Sequence, residues 1–298
     1  MLKMARRRVR KAVFPVAGLG SRLLPATRAV PKEMLTVVNR PLIQHAVDEA
    51  AQAGIEQFVF VTGRAKQAIE NHFDLAYEFK GSLEGKDRWA VDSERVRGTV
   101  PAPGDLISVR QPEPLGLGHA VWCARHAVGD EPFAVLLPDD LVLGRVPCIG
   151  ELLEQHYETG GNVLAVQEVP RPLTSRYGVI DCDGSDSTVI EIRGLVEKPD
   201  PVRAPSTLAV VGRYVLLPEV FDQLQRVAAV VKGEVQLTDA LMGMIGHGPF
   251  HGVRVSGTRF DCGTKLGILQ ANLALGLNDP DVGDELAAFA RAWLDGRG

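Results

Sequence analysis

Residues 12–35 read AVFPVAGLGSRLLPATRAVPKEML and join an apolar run to a glycine turn and a basic cluster. The apolar run ends at Gly18, which is typical of a buried parallel strand that leads into a loop. A glycine turn lets backbone N–H groups close on a phosphate, and Arg22, Arg28 and Lys32 follow this turn. The segment therefore predicts a phosphate-binding loop, with a plain tight turn as the alternative.

The chain around this segment alternates strand-like and helix-like patterns. The predicted elements are a strand at 12–17, a helix from Pro41 to Gly54, a strand at 57–62, a helix at 65–73, a strand at 106–110, a helix at 118–128 and a strand at 133–137. Strands joined by helices at this spacing form right-handed crossovers, which make the sheet parallel. Residues 78–104 have no clear period and are expected to form a peripheral excursion.

The pattern changes after residue 162. Several β-rich runs between residues 162 and 217 have little helix between them, so mixed or antiparallel strands are expected to extend the sheet. Helices are predicted again at 218–226, 237–245, 265–275 and 284–294. No low-complexity linker separates the halves, which favours a basic tail at 1–10, one α/β domain at 11–262 and C-terminal helices at 263–298.

The composition excludes several classes of protein. Of the 298 residues, 45% are hydrophobic and 23% charged, so the chain can bury a large core and is not mainly disordered. The net charge of −4 argues against a broad basic surface that binds nucleic acid. The basic residues at the start of the chain are expected to form a solvated tail, with binding of nucleic acid as the alternative. No apolar run reaches the roughly 20 residues of a membrane span. The four cysteines lie far apart without zinc spacing, which predicts reduced thiols and a cytoplasmic protein.

Acidic residues end two apolar runs, at the position where open α/β sheets bind ligands. Asp139 and Asp140 end FAVLLPDD at 133–140, and Asp261 ends TRFD at 258–261. Mg²⁺ binds one or two carboxylates together with substrate phosphate oxygens. Asp139 is therefore a candidate Mg²⁺ ligand and Asp261 a second one, with a turn or helix-capping role as the alternative.

A glutamine and a glycine-rich run follow the predicted strand at 106–110. Gln111 opens QPEPLGLGHA, and its amide has the acceptor and the donor that a uracil edge requires. Gly116 and Gly118 would let the backbone approach the base. A solvent-facing loop is the alternative, and His119 is expected to pack or to cap rather than to catalyse.

Residues of the β-rich part could bind a sugar phosphate. Lys198 is a candidate cation for the phosphate, and Glu197 could accept hydroxyl hydrogen bonds. Gly178 and Gly212 could line the same site with bare backbone. Solvated charges and strand bulges are the alternatives.

Ten stretches of the chain, in order, resemble the bacterial UTP:glucose-1-phosphate uridylyltransferases, a family of sugar nucleotidyltransferases. They are AVFPVAGLGSRLLPATRAVPKEML, PLIQHAVDEAAQAGI, ENHFD, VRQPEPLGLGHAV, VGDEPFAVLLPDD, YGVIDC, VEKP, LAVVGRYVL, GEVQLTDA and FDCGTKLGILQANL. They run across nearly the whole chain, so the resemblance is far more specific than a single glycine turn. The chain departs from the family at Ser21, usually threonine, at Arg28, usually lysine, and over 78–104.

The resemblance implies a Rossmann-like, mostly parallel mixed sheet flanked by helices, with added β-structure over the sugar site and a C-terminal helical segment. It implies that UTP and glucose 1-phosphate form UDP-glucose and pyrophosphate with Mg²⁺, a reaction of class EC 2.7.7.9. The residues carried over by position are Ala17, Gly18, Gly20, Glu33, Gln111 and Gly116 for the nucleotide, Asp140, Gly178, Glu197, Lys198 and Gly212 for the sugar phosphate, Arg22, Lys32 and Lys198 for catalysis, and Asp139 and Asp261 for the metal.

These expectations leave partners and alternative functions open. We expect the chain to form a homo-oligomer, either a dimer or a tetramer, in which the C-terminal helices could make the contacts. We expect no membrane and no nucleic acid as a partner. The alternatives are a related enzyme for another sugar 1-phosphate or for dTTP, and a non-catalytic nucleotide-sugar sensor. A nicotinamide dehydrogenase is disfavoured because Leu23 stands where a dinucleotide fingerprint has its third glycine.

Overall fold

The computed structural model describes residues 7–74, 100–184 and 186–296. Its strands are β1 (Lys11–Pro15), β2 (Thr36–Val37), β3 (Arg40–Pro41), β4 (Gln57–Thr62), β5 (Leu106–Arg110), β6 (Phe133–Leu136), β7 (Asp140–Leu143), β8 (Asn162–Glu168), β9 (Gly178–Asp181), β10 (Val189–Glu191), β11 (Gly194–Glu197), β12 (Leu208–Leu216), β13 (Phe250–Arg254) and β14 (Thr258–Asp261). Its α-helices are α1 (Leu42–Gln52), α2 (Gln67–Phe73), α3 (Leu117–Cys123), α4 (Arg125–Val128), α5 (Cys148–Thr159), α6 (Val220–Val230), α7 (Leu237–Met242), α8 (Lys265–Leu277) and α9 (Gly283–Asp295). Short 3₁₀ helices lie at Ser21–Leu23, Ala26–Arg28, Lys32–Met34 and Arg171–Arg176.

The first half of the main sheet is parallel, which confirms the prediction. β5, β4, β1 and β6 lie side by side in that order, and each adjacent pair is parallel. Within β1, Ala12, Val13 and Phe14 are fully buried. A strand that is apolar at consecutive positions is buried on both faces, which is why β1 lies in the middle of the sheet.

The second half of the sheet is mixed. β12 is antiparallel to β6 on one side and to β8 on the other, and it also pairs with β9, which pairs with β11. β13 is parallel to β8 and antiparallel to β10. The prediction of mixed or antiparallel strands after residue 162 is therefore confirmed. The pairing of β12 with β8 is interrupted between Val210 and Tyr214, where Gly212 lies.

The predicted helices are present with shifted ends. α1 begins directly after Pro41, and Gly54, with a φ of 86°, follows its C-terminus. The helix predicted at 118–128 is divided at Ala124 into α3 and α4. α5 is absent from the predictions, although its buried residues Ile149 and Leu152 have helical spacing.

A two-stranded sheet beside the main one joins distant parts of the chain. β7 and β14 are antiparallel, and their register pairs Asp140 with Asp261. The sequence predicts a short strand that ends at Asp261, but it does not predict β7 or this pairing. The pairing sets the relative position of the acidic residues described below.

The apolar core has one layer on each face of the sheet. Val13 of β1 and Val59 of β4 belong to one buried cluster, whereas their neighbours Phe14 and Phe60 belong to the other. Successive residues of a strand point to opposite faces, so each strand contributes to both layers.

Part of the predicted basic tail belongs to the domain. Val9 is 1% exposed, and Arg8 and Arg10 both form ion pairs with Glu56. We therefore assign residues 7–10 to the folded domain and not to a solvated tail. Most of the excursion predicted at 78–104 lies outside the described residues.

The four cysteines are free, as predicted. Burial raises the pKa of Cys148 and that of Cys262 to about 12, so these two thiols stay protonated and unreactive near neutral pH. Among the described residues, no helix has both the length and the apolar character needed to cross a membrane.

Candidate functional site

A cavity of about 890 Å³ brings nearly all the predicted site residues together. Loops that follow β1, β5 and β6 line it, together with residues of β9, β11, β12 and β14. The predicted residues in its wall are Ala17, Gly18, Gly20, Arg22, Lys32, Gln111, Gly116, Asp139, Asp140, Gly178, Glu197, Lys198, Gly212 and Asp261. The carboxyl ends of parallel strands meet at one edge of a sheet, which is why segments far apart in the sequence converge here.

A lysine and a carboxylate are in contact beside the glycine turn. Lys32 Nζ is 2.6 Å from Asp139 Oδ2, and Arg22 Nη2 is 3.9 Å from the same oxygen. Burial alone would raise the pKa of Asp139, but the charge of Lys32 and its hydrogen bond outweigh burial and lower this pKa. Burial would likewise lower the pKa of Lys32, but the charges of Asp139 and Glu33 raise it. Asp139 is therefore ionised and Lys32 protonated at neutral pH.

The pairing of β14 with β7 brings Asp261 to the same end of the cavity. Asp261 Oδ2 lies 4.0 Å from Arg22 Nη1 and 3.4 Å from Arg176 Nη2. A Cβ atom placed on Gly263 would lie 3.0 Å from Asp139 Oδ2 and 3.0 Å from Asp261 Oδ1. The same Cβ atom would lie 2.6 Å from Arg22 Nη2, and Gly263 N donates to Asp261 Oδ1 at 3.1 Å. The two carboxylates therefore lie close together, with Arg22 beside both of them.

Glu33 does not line the cavity, unlike the other residues predicted for the nucleotide. It is fully buried, and its Oε2 accepts a hydrogen bond of 2.9 Å from Lys66 Nζ. Lys66 also donates to Gly18 O at 2.7 Å, so it ties the glycine turn to the segment that carries Lys32. The other oxygen, Glu33 Oε1, is buried without a hydrogen-bond partner among the described residues. Glu33 thus holds the glycine turn through Lys66.

Both carboxylate oxygens of Asp140 are bound by the protein itself. Oδ2 accepts a hydrogen bond from Gly212 N at 2.8 Å, and Oδ1 accepts one from Arg259 Nε at 2.8 Å. A Cβ atom on Gly212 would lie 2.7 Å from Asp140 Oδ2, so this close approach requires glycine. Burial raises the pKa of Asp140, and the charge of Arg259 opposes this shift. Arg259 also lies over the ring of Tyr177, at 5.2 Å from its centre.

Glu197 and Lys198 place a carboxylate and a cation together in the cavity wall. Glu197 Oε2 accepts a hydrogen bond of 2.7 Å from Thr238 Oγ1, and Glu197 Oε1 is 3.0 Å from Lys198 Nζ. The Lys198 side chain is 52% exposed, so it can reach an anion in the cavity. Lys198 has a φ of 45°, a left-handed conformation that is uncommon outside glycine and that clusters at ligand sites.

Gln111 lies in the wall that follows β5. It is 6% exposed, and its Nε2 donates to Gly116 O at 3.1 Å. A Cβ atom on Gly116 or on Gly118 would lie 2.8 Å from Val235 O, so both positions require glycine for this close backbone contact. Gly116 lines the cavity, whereas Gly118 does not.

The cavity wall contains residues that the sequence does not predict: Arg176, Thr238 and Arg259. For Arg259 a signal exists, because it stands two positions before Asp261 in a strand, and residues two apart share a face. Arg176 and Thr238 have no such signal. Arg28, by contrast, is in the predicted basic cluster and does not line the cavity.

Comparisons with known proteins show which family the chain resembles. Residues 11–277 match the family model of nucleotidyl transferases. The chain is 52% identical over 258 residues to the UTP–glucose-1-phosphate uridylyltransferase of Komagataeibacter xylinus, over 87% of this chain and 90% of that protein. It is 43% identical over 289 residues to the enzyme of the same name from Bacillus subtilis, over 97% and 98% of the two chains. It is also similar to the solved structure of UTP-bound UGPase from Acinetobacter baumannii, with a TM-score of 0.88, 43% identity and coverage of 95% and 98%.

Proposed function

The chain belongs to the nucleotidyl transferase family and makes UDP-glucose from UTP and glucose 1-phosphate, and we propose how its cavity does so. The cavity binds both substrates with Mg²⁺ and aligns them for direct transfer of the uridylyl group from UTP to glucose 1-phosphate. The observation that carries the proposal is the convergence of Arg22, Lys32, Asp139 and Asp261 at one end of the cavity, with Lys198 in its wall. Cations suit the phosphates of both substrates, and the two carboxylates suit a divalent ion.

The reaction requires alignment and charge neutralisation rather than a protein nucleophile. A phosphate oxygen of glucose 1-phosphate, anionic near neutral pH, attacks the α-phosphorus of UTP, and the bond from that phosphorus to pyrophosphate breaks. Lys198 would hold the attacking phosphate, because a point cation binds a phosphate in many orientations. Arg22 and Lys32 would neutralise the charge that develops on pyrophosphate as it leaves.

The acidic end of the cavity fits a magnesium ion held by Asp139 and Asp261. The support is that an oxygen of each side chain would lie 3.0 Å from a Cβ atom placed on Gly263, so the two carboxylates are close enough to share one ion. Within the described ranges, no group of three or more His, Cys, Asp or Glu side chains could hold a metal ion. Mg²⁺ needs no such group, because it binds one or two carboxylates and takes phosphate oxygens and water besides. When bound, the ion supplies Lewis-acid stabilisation of phosphate charge. Lys32, now in contact with Asp139, would then turn towards the phosphates.

The remaining wall residues would divide between the two substrates. Ala17, Gly18 and Gly20 would bring backbone N–H groups to the triphosphate. Gln111 and Gly116 would bind the base. The residues assigned to the glucose and its phosphate are Asp140, Gly178, Glu197, Lys198 and Gly212. Because Asp140 is held by Arg259 and Gly212, it would present a rigid carboxylate to the sugar.

The test of this proposal is Mg²⁺-dependent release of pyrophosphate from UTP. Glucose 1-phosphate would be compared with galactose 1-phosphate and mannose 1-phosphate, and UTP with dTTP. We expect release with UTP and glucose 1-phosphate, loss of release with a chelator, and recovery when Mg²⁺ is added back. Release that continues without divalent ions would contradict the metal site, and an absence of release with every sugar would overturn the whole proposal.

Replacing Lys198 with alanine should mainly weaken the use of glucose 1-phosphate. Hydrogen bonds to charged groups contribute about 1.5–3 kcal/mol, so KM for glucose 1-phosphate should rise about 10–100-fold, with a smaller change in KM for UTP. Steady-state kinetics with each substrate varied in turn measures this. Lys232→Ala, at an exposed position outside the cavity, is the matched control. A defect confined to UTP would contradict the assignment.

We further propose that the C-terminal helices join copies of this chain. Large apolar side chains on α8 and α9 are exposed, among them Leu266 at 65%, Leu269 at 67%, Phe289 at 63% and Trp293 at 55%. Exposed apolar patches of this kind mark contact surfaces, and positions 266 and 269 share one helix face.

Replacing Leu269 with aspartate should shift the protein towards the monomer in analytical ultracentrifugation. The reason is that a carboxylate in an apolar contact loses its hydration without a partner. Val202→Asp is the control, since Val202 is 89% exposed and belongs to neither helix. An unchanged sedimentation profile of Leu269→Asp would exclude α8 from the contact.

We also propose a cytoplasmic location for the enzyme. The support is chemical: the four cysteines are free, and a reducing compartment keeps the half-buried thiols of Cys123 and Cys182 unoxidised.

A further inference from the structure

The side-chain amide of Gln111 has a defined orientation. Its Nε2 lies 3.1 Å from Gly116 O. A backbone carbonyl oxygen only accepts hydrogen bonds, so the amide atom beside it must be the nitrogen. The NH₂ group of Gln111 therefore points towards Gly116 O.

The second hydrogen of this amide points to His119, a residue of α3. Gln111 Nε2 is 3.1 Å from His119 Nδ1. Because Nε2 is a donor, Nδ1 must be the unprotonated nitrogen of the ring, and the ring hydrogen is then on His119 Nε2. That nitrogen lies 3.9 Å from Cys123 Sγ, close enough for a weak N–H to sulfur hydrogen bond. The hydrogen bonds thus run in one direction, from Gln111 to His119 and from His119 to Cys123.

This arrangement decides which atom of Gln111 is left for a ligand. Among the described residues, the side-chain hydrogen bonds of Gln111 both use Nε2. Gln111 lines the cavity, so Oε1 is the polar atom that it can offer there. The sequence predicts that the amide presents both a donor and an acceptor to the base. In the structure, only the acceptor is left for the base.

We propose that His119 is a positioning residue for base selection, which holds Gln111 with Oε1 towards the base of the nucleotide. The inference rests on the proposed function, in which Gln111 contacts the base. An acceptor at this position favours a ring nitrogen that carries a hydrogen. Uracil and thymine have such an N–H at N3, whereas N3 of cytosine is itself an acceptor. A cytosine in the same register would place two acceptors against each other, which costs binding energy.

His119 gives the amide of Gln111 a second hydrogen bond, which Gly116 alone does not provide. Gly116 O binds one amide hydrogen, and the terminal torsion of glutamine has broad, shallow minima. With only this one contact, the amide can rotate and turn Nε2 towards the N3 acceptor of cytosine. With His119 Nδ1 as a second acceptor, rotation of the amide breaks two hydrogen bonds. His119 therefore acts on the base only through Gln111.

The test compares His119→Phe with His119→Asn. Phenylalanine keeps a flat ring without nitrogen atoms, whereas asparagine keeps an acceptor near the position of Nδ1. The measurement is kcat/KM for UTP, CTP and dTTP with glucose 1-phosphate. One hydrogen bond contributes about 0.5–1.5 kcal/mol, so His119→Phe should lower the preference for UTP over CTP about 3–10-fold, mainly through KM. His119→Asn should retain the preference.

Two controls separate this role from a structural one. The preference for UTP over dTTP should not change in either variant, because both bases have N3–H. In a chain with Gln111→Ala, adding His119→Phe should leave the UTP:CTP preference unchanged. His119→Leu is the second variant without an acceptor, and thermal unfolding of each variant shows whether it folds.

Equal losses with UTP, CTP and dTTP would overturn the proposal, because they would mean that His119 only supports the fold. A change in preference that persists without the Gln111 side chain would also overturn it. Failure of the unmodified enzyme to release pyrophosphate from UTP and glucose 1-phosphate would instead overturn the proposed function.

Discussion

Asp139→Asn should lower kcat for UDP-glucose formation by at least about 100-fold. Asparagine has the shape of aspartate without its charge, so the variant removes the negative charge that lies 2.6 Å from Lys32 Nζ. It also removes one of the two carboxylates that face the proposed Mg²⁺ position. A bound divalent ion stabilises the transition state by several kcal/mol, and each 1.36 kcal/mol corresponds to a tenfold change in rate. UTP binding should change less, because the ion is needed most where charge develops.

The measurements for Asp139→Asn are kcat from pyrophosphate release, the Mg²⁺ concentration at half-maximal rate, and UTP affinity by calorimetry. Asp222→Asn makes the same chemical change at an exposed position of α6 and should leave all three unchanged. The half-maximal Mg²⁺ concentration should rise for Asp139→Asn. If the variant had a near-normal kcat at the Mg²⁺ concentration that gives the unmodified enzyme its full rate, Asp139 would not be a ligand of the metal.

Arg213→Met should destabilise the fold by about 3–5 kcal/mol, because it leaves a buried carboxylate without its partner. Arg213 is 1% exposed, and its Nη2 lies 2.7 Å from Glu49 Oε2. Arg213 Nη1 also donates to Leu137 O and Gly212 O, which flank the loop with Asp139 and Asp140. Burial would lower the pKa of Arg213, but the charge of Glu49 raises it, so Arg213 keeps its charge although it is buried. Urea unfolding at neutral pH measures the decrease in the free energy of unfolding.

Two further variants test whether the unpaired charge is the cause. In Arg213→Met combined with Glu49→Leu, neither charge of this pair remains, so the double variant should be more stable than the sum of the two single changes predicts. Arg193→Met breaks an exposed ion pair with Asp183 and should cost less than about 1 kcal/mol. Additive losses in the double variant would show that packing, and not charge, dominates at Arg213.

Local patterns are enough to predict the parallel half of the sheet and the glycine turn after β1. β1 and β4 are short apolar runs, and the helices between the strands have clear faces, so each element is specified by residues close in sequence. The turn after β1 could be predicted because glycine and basic residues stand directly beside the strand. The helix α5 was missed although its buried positions have helical spacing.

Contacts between distant segments were not predictable in the same way. Gly118 is glycine because Val235 O approaches it, and Glu33 is buried because Lys66 lies against it. Neither neighbour is near in sequence, so no local pattern reveals it. The same holds for the hydrogen bond of Asp140 with Arg259, whose residues lie in β7 and β14.

The sequence by itself determined the fold class, the family and the chemical types of the site residues, because strand and helix periodicity and the ten matching stretches are properties of consecutive residues. The tertiary structure alone decided how those residues act together. Pairing of β7 with β14 places Asp261 beside Asp139, and the contacts with Gly116 and His119 orient the amide of Gln111. The physical reason is that distances and hydrogen-bond directions between side chains depend on where separate strands and helices pack, which no single segment encodes.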